Sequence, residues 1–78
     1  VIMDKFLIYP NPATNFINVS ADETIEQIAI FNIKGSLIFS KSYQQKRTSV
    51  NVSDFAKGFY IVKVISKENS SVQQLIIK

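Results

Sequence analysis

The chain has 78 residues, enough for one small domain, and nine Lys and Arg against six Asp and Glu give a net charge of +3. It contains no Cys, His or Trp, which excludes disulfide frameworks, zinc fingers and catalysis by Cys or His. Its apolar content of 46% is too high for a disordered chain. No apolar run exceeds four residues, whereas a membrane helix needs about 20, so no membrane-spanning segment is predicted.

The side-chain types favour an all-β fold. Ile and Val together number 19, and Phe and Tyr add nine. Such residues suit a pleated, half-buried surface. Apolar segments recur about every ten residues between polar turns, a spacing typical of small β domains. Connections this short favour antiparallel pairing, and seven strands are predicted, at residues 6–9, 15–19, 25–32, 37–43, 48–52, 59–66 and 71–78.

Turn signals separate these strands. Pro10 and Pro12 end the first strand because proline cannot donate to a β ladder. Residues 32–35 predict a hairpin turn in which Gly35 adopts positive φ. Residues 53–58 predict a single helical turn, capped by Ser53 and ended by Gly58.

The sixth predicted strand has two different faces. Tyr60, Val62 and Val64 point to one side, while the other side carries Phe59, Ile61, Lys63 and Ile65. The second face is apolar yet carries a charge. It is either covered in part by a neighbouring loop or strand, or it is a contact patch for a partner or an upstream domain.

No residue pattern indicates catalysis. Asp22, Glu23 and Glu26 form the one acidic cluster, which reads as a solvated loop or as a weak calcium site. Lys46 and Arg47 are the one adjacent basic pair. A diffuse basic surface of this kind does not predict nucleic-acid binding. No cofactor is expected.

Carbohydrate binding is the main alternative among binding functions, because small β domains use exposed aromatic side chains as platforms for sugars. Four side chains are candidates: Tyr9, Phe39, Tyr43 and Phe59. Core packing is the competing explanation for most of them.

Three separated motifs together resemble one family. They are Tyr-Pro-Asn-Pro-Ala at residues 9–13 before a short strand, Asn-Ile-Lys-Gly at residues 32–35, and the segment 52–64 followed by a closing strand at residues 75–78. In this order they resemble the type A C-terminal sorting domain of the type IX (Por) secretion system. The resemblance covers residues 6–78.

The resemblance implies a seven-stranded, antiparallel, Ig-like β-sandwich with a transport function. A cargo protein upstream in the same chain would reach the periplasm, and the outer-membrane translocon would recognise this domain. A cell-surface sortase would then cut before the first strand, leaving the cargo on the cell surface or secreted. Residues 1–5 would be the linker from the cargo. Such cargoes are typically hydrolases or adhesins of Bacteroidota-type bacteria.

The resemblance also suggests roles for individual residues. We expect an exposed final strand to offer its edge for strand addition by the translocon. The residues expected to be recognised are Phe59, Ile61, Lys63, Leu75, Ile76, Ile77 and Lys78. Motif residues expected to be structural are Pro10, Asn11, Pro12, Gly35, Gly58 and Tyr60. A weak dimer of the domain is one open alternative. Another is an Ig-like carbohydrate-binding or adhesion module that is retained in a secreted enzyme.

Overall fold

A computed structural model describes residues 6–78, so the predicted linker at residues 1–5 lies outside the described residues. The described part contains five strands: β1 (Phe6–Tyr9), β2 (Phe16–Asn32), β3 (Leu37–Asn51), β4 (Gly58–Ser66) and β5 (Ser70–Ile77). The all-β prediction is confirmed. Between residues 6 and 78 there is no helix with the length and hydropathy needed to cross a membrane.

The five strands form one curled sheet around the long strand β2. Their order is β1-β2-β4-β5, and β3 also pairs with β2. The first half of β2 pairs with β1, and its second half pairs with β4. All strand pairs are antiparallel, as predicted. A single parallel bridge, between Ala13 and Ile77, joins the β1–β2 connection to β5.

The predicted count of seven strands, and with it the seven-stranded sandwich, is not what the structure contains. The second and third predicted strands are one continuous strand, β2, and the fourth and fifth are β3. The pairing register shifts between Ser20 and Ile25. Neither residues 20–24 nor residues 44–47 contain Gly or Pro. These segments therefore bend without breaking the extended chain.

The core lies on the concave side of the curled sheet. Every strand contributes to it, and so does Ala13 from the β1–β2 connection. The largest fully buried side chains are Ile17, Val19, Ile25, Ile28, Ile30, Val50, Val52, Val62 and Leu75. Tyr60, Val62 and Val64 all point inward, so the predicted division of the β4 faces is confirmed.

The β2–β3 turn forms as predicted. Gly35 has φ of 88°, and its N–H donates to the carbonyl of Asn32 at 3.0 Å. The side chain of Asn32 also accepts hydrogen bonds from the N–H groups of Lys34 and Ser36. The backbone carbonyl and the side chain of Asn32 thus both accept hydrogen bonds from N–H groups of the turn.

The predicted helical turn at residues 53–58 is wrong. Phe55 N–H donates to the carbonyl of Val52 at 3.0 Å, which closes one tight turn and no helix. Ser53 does not cap it. Instead, Asn51 Oδ1 accepts hydrogen bonds from the N–H and the hydroxyl of Ser53. The polar side chain of Asn51, two residues earlier, thus satisfies the backbone N–H of Ser53.

Candidate functional site

One side of β4 presents the side chains of Phe59, Ile61 and Lys63 away from the core, because alternate residues of a strand point to opposite sides. Phe59 is 53% exposed, and Ile61 and Lys63 are half-buried. Three of the residues predicted for recognition therefore lie next to one another on one surface.

The residues predicted for recognition at the chain end divide between two environments. Ile76 lies directly opposite Phe59 on β5 and is half-buried on the same surface. Lys78 is exposed. By contrast, Leu75 is 0% exposed and Ile77 is 3% exposed. These two side chains belong to the core.

Neighbouring strands extend this surface. Phe31 lies opposite Ile61, and Ala29 and Val72 lie on either side of Lys63. Val72, which is 62% exposed, was missed by the sequence reasoning, although its even spacing from Ile76 places it on the same face. We call the following seven residues the outer face: Ala29, Phe31, Phe59, Ile61, Lys63, Val72 and Ile76.

The outer face carries a single charge among uncharged side chains, and the polar Gln74 lies on the same side of the sheet, opposite Ile61. Lys63 is its one ionisable side chain, and its direct cross-strand neighbours are Ala29 and Val72. The diagonal neighbours are also uncharged: Gln27, Phe31, Ser70 and Gln74. Since Phe59 and Val72 stay exposed, no segment within residues 6–78 covers either of them. An exposed apolar surface of this kind is typical of a contact site.

The edge of β5 is not open along its whole length, which corrects the sequence-based expectation. Asn11 lies beside the strand, and its Nδ2 donates to the carbonyl of Gln74 at 3.0 Å. Its Oδ1 accepts a hydrogen bond from the N–H of Ile76 at 3.1 Å. The side-chain amide thus pairs with the strand as a peptide group would.

Ala13 continues this pairing with its backbone. Its N–H donates to the carbonyl of Ile76 at 2.8 Å, and its carbonyl accepts from the N–H of Lys78 at 2.8 Å. Ala13 is 1% exposed. Residues 11–13, which we call the edge segment, therefore occupy the edge of β5 over residues 74–78. The expectation of an open edge is wrong there.

The remaining motif residues support the fold. Pro10 and Pro12 are exposed on either side of Asn11, and both prolyl peptide bonds are cis. Gly58 has φ of 144°, which favours glycine. Tyr60 is buried, and its hydroxyl donates to the carbonyl of Ala56. The structural role expected for these residues stays a prediction.

Glu23 joins strand β2 to the β4–β5 hairpin. Its carboxylate accepts hydrogen bonds from the Ser66 hydroxyl at 2.7 Å and from Asn69 Nδ2 at 2.9 Å. Within residues 6–78, no three acidic side chains lie close enough to hold a metal ion. The calcium interpretation of Asp22, Glu23 and Glu26 therefore finds no support.

The candidate aromatic platforms differ in accessibility. Phe39 and Tyr43 pack against the core, whereas Tyr9 is 48% exposed and Phe59 is 53% exposed. Burial raises the pKa of the Tyr43 hydroxyl, and a hydrogen bond with Thr48 partly opposes this shift. Two of the four platforms are thus accessible to a flat ligand.

The basic pair is accessible as well. Lys46 and Arg47 are both exposed in the bend of β3. Neither belongs to the outer face, whose charge comes from Lys63.

The family model for the secretion system C-terminal sorting domain matches residues 7–78. The chain belongs to this family. It is a sorting domain of the Por (type IX) secretion system, and the motifs that suggested this family all lie in the matched part. Membership in the family implies secretion or display at the cell surface.

Two relatives are similar to most of this chain. The domain is 30% identical over 74 residues to beta-agarase D of Zobellia galactanivorans, a match covering 95% of this chain and 15% of that protein. It is 29% identical over 72 residues to an ulvan lyase of Nonlabens ulvanivorans, which covers 90% of this chain and 14% of that protein. The sorting domain thus spans about one seventh of the length of either relative.

Proposed function

We propose that this sorting domain directs its upstream cargo from the periplasm through the type IX outer-membrane translocon by presenting the outer face for recognition. The observation that supports the proposal is the arrangement of Phe59, Ile61 and Ile76 around Lys63 on one side of the sheet. Phe59 is exposed there, and the other three side chains are half-buried. A translocon that accepts many cargoes must read a feature that belongs to the domain alone.

The outer face defines the chemistry of the surface that fits it. Apolar side chains would pack on Phe59 and Ile61, and a carboxylate would lie opposite Lys63, since charge complementarity gives an apolar contact its specificity. The exposed side chain of Lys78 adds a second positive charge. Leu75 and Ile77 act from the core by holding the strand that carries Ile76.

The proposal is tested by secretion of a reporter. A fluorescent protein that folds in the periplasm is joined upstream of the full domain in a Bacteroidota-type host. The test variant combines Phe59→Ser with Ile61→Ser. The matched control combines Leu7→Ser with Phe16→Ser, because these residues are 64% and 47% exposed and pair with Ser20 and Asn51, which are not outer-face residues. We expect the test variant to be retained and the control to be secreted. Secretion of both would refute recognition by the outer face.

The fate of the domain separates this proposal from its alternative. We propose that a cell-surface sortase removes the domain by cutting before β1. The exposed rings of Tyr9 and Phe59 favour the alternative of a carbohydrate-binding or adhesion module that stays attached. Intact mass spectrometry of the secreted reporter distinguishes them, since a sortase product lacks residues 6–78 and a retained module keeps them.

The cargo itself is also proposed. Two relatives with similar domains are named as an agarase and an ulvan lyase. We propose that the upstream part of this protein is likewise a secreted polysaccharide-degrading enzyme.

A weak dimer through the outer face would compete with the translocon for the same surface. Sedimentation equilibrium of the unmodified domain and of the Phe59→Ser variant checks whether such a dimer forms.

A further inference from the structure

The outward backbone groups of β5 fall into two parts. The edge segment binds the carbonyl of Gln74, both backbone groups of Ile76 and the N–H of Lys78. By the two-residue alternation of a strand, Ser70 and Val72 point their backbone groups the same way, beyond the edge segment. Within the described residues, this short part of the β5 edge and the N–H of Gln74 are left for a partner strand.

The side chain of Asn11 compensates for the two prolines on either side of it. Pro10 and Pro12 have no N–H to donate to a neighbouring strand. The side-chain amide of Asn11 carries both a donor and an acceptor and supplies the pair that these residues lack. Ala13 then provides the next pair from its backbone. The edge segment therefore acts as a short sixth strand beside β5.

We infer that the translocon binds this domain with the edge segment in place, through the outer face and not by adding a strand along residues 74–78; this inference rests on the proposed function. Four hydrogen bonds and the burial of Ala13 and Ile77 hold the edge segment against β5. A partner strand would have to replace all of them. Asn11 is accordingly a positioning residue, which holds the backbone of Ile76 so that its side chain stays on the outer face.

A disulfide that locks the edge segment tests the inference. Ala13→Cys and Ile77→Cys are introduced together in the reporter fusion, at the two residues of the parallel bridge. Neighbouring strands lie about 4.8 Å apart, within the range that a disulfide accepts. The sorting domain has no other Cys, so within this domain only that disulfide can form. The single variants Ala13→Cys and Ile77→Cys are the matched controls.

We expect the oxidised double variant to be secreted without loss relative to the single variants. Retention of the oxidised double variant with secretion of both single variants overturns the inference, because the edge segment would then have to leave. If the unmodified reporter is itself retained, the proposed function fails instead.

A second variant decides the case in which Ile77→Cys alone is retained because it disturbs the core. Asn11→Ala removes both side-chain hydrogen bonds to β5. Amide hydrogen exchange at Ile76 should become about five- to thirtyfold faster while the domain remains folded, and secretion should fall. Thr14→Ala, at an exposed neighbouring position, should change neither. Faster exchange with equal or greater secretion contradicts the inference.

Discussion

The hydroxyl of Ser66 donates a hydrogen bond to the carboxylate of Glu23 at 2.7 Å, across 43 residues of sequence. The same carboxylate accepts from Asn69 Nδ2. Glu23 therefore connects the bend of β2 to the turn between β4 and β5. The outer face depends on the position of these two strands.

Replacing Glu23 should loosen this connection. Glu23→Ala removes both hydrogen bonds, which should lower the free energy of unfolding by about 1 kcal/mol. In a domain of this size the melting temperature should then fall by about 4–8 °C. Asp22→Ala, at the preceding exposed position, is the control and should leave the melting temperature unchanged. An equal fall in both variants would argue against the connection.

Reversing the charge at Lys63 should abolish secretion of a reporter. Lys63→Glu places a carboxylate among uncharged neighbours, where it would repel a carboxylate on the translocon. Lys63→Arg keeps the charge and should preserve secretion. Measuring reporter fluorescence in the medium checks both variants. If Lys63→Glu is secreted like the unmodified domain while Phe59→Ser with Ile61→Ser is retained, the apolar part of the outer face suffices for recognition.

Neighbouring residues near the chain end should separate folding from recognition. Leu75→Ala removes a side chain that is 0% exposed, and the free energy of unfolding should fall by about 2–5 kcal/mol. Ile76→Ser changes a half-buried side chain on the outer face, so it should cost less stability yet reduce secretion. Urea denaturation of the purified domain and the reporter assay give the two readouts. Equal losses of stability would contradict this division.

Substitution of Gly58 should lower the stability of the domain through its backbone conformation alone. A Cβ at this position would meet no atom within 4 Å, but φ is 144°. Gly58→Ala should therefore destabilise the domain by about 1–3 kcal/mol through backbone strain. Gly35→Asn is the comparison, because φ there is 88° and asparagine tolerates positive φ better than alanine. Denaturation midpoints should rank Gly58→Ala below Gly35→Asn, and the reverse ranking would contradict the explanation.

The domain should lose stability in alkaline solution partly through Tyr43. Burial raises the pKa of its hydroxyl, so the folded state favours the neutral form. This contribution is fully present below the ordinary tyrosine pKa of about 10 and is lost as the pH rises through the raised value. Melting curves between neutral and alkaline pH should show a smaller alkaline loss for Tyr43→Phe. An unchanged loss would show that Tyr43 does not contribute.

Local features of the sequence predicted much of the fold. The turn at Gly35 and the two faces of β4 follow from residue type and a two-residue period, and both are confirmed. The number of strands was wrong because polar residues at 20–24 suggested a loop, although no Gly or Pro breaks the chain there. Polarity indicates exposure, and an exposed bend can remain extended.

The candidate site could be predicted only in part. Alternation placed Phe59, Ile61 and Lys63 together, but it could not show that Leu75 and Ile77 face the core while Ile76 faces out. That assignment depends on the register of β5 against β4. The edge segment was also beyond the reach of local patterns, because Asn11 and Ile76 are 65 residues apart in sequence.

The pairing of the edge segment with β5 also depends on the order in which the chain is made. Asn11 and Ala13 leave the ribosome before Ile76 and Lys78, to which they bind and which come dozens of residues later. A product that stops short of Ile76 leaves these early residues without their partners and the core without Ile77. Such a truncated product would not display a finished outer face. Under the proposed function, the pairing therefore makes secretion depend on synthesis that has passed through β5.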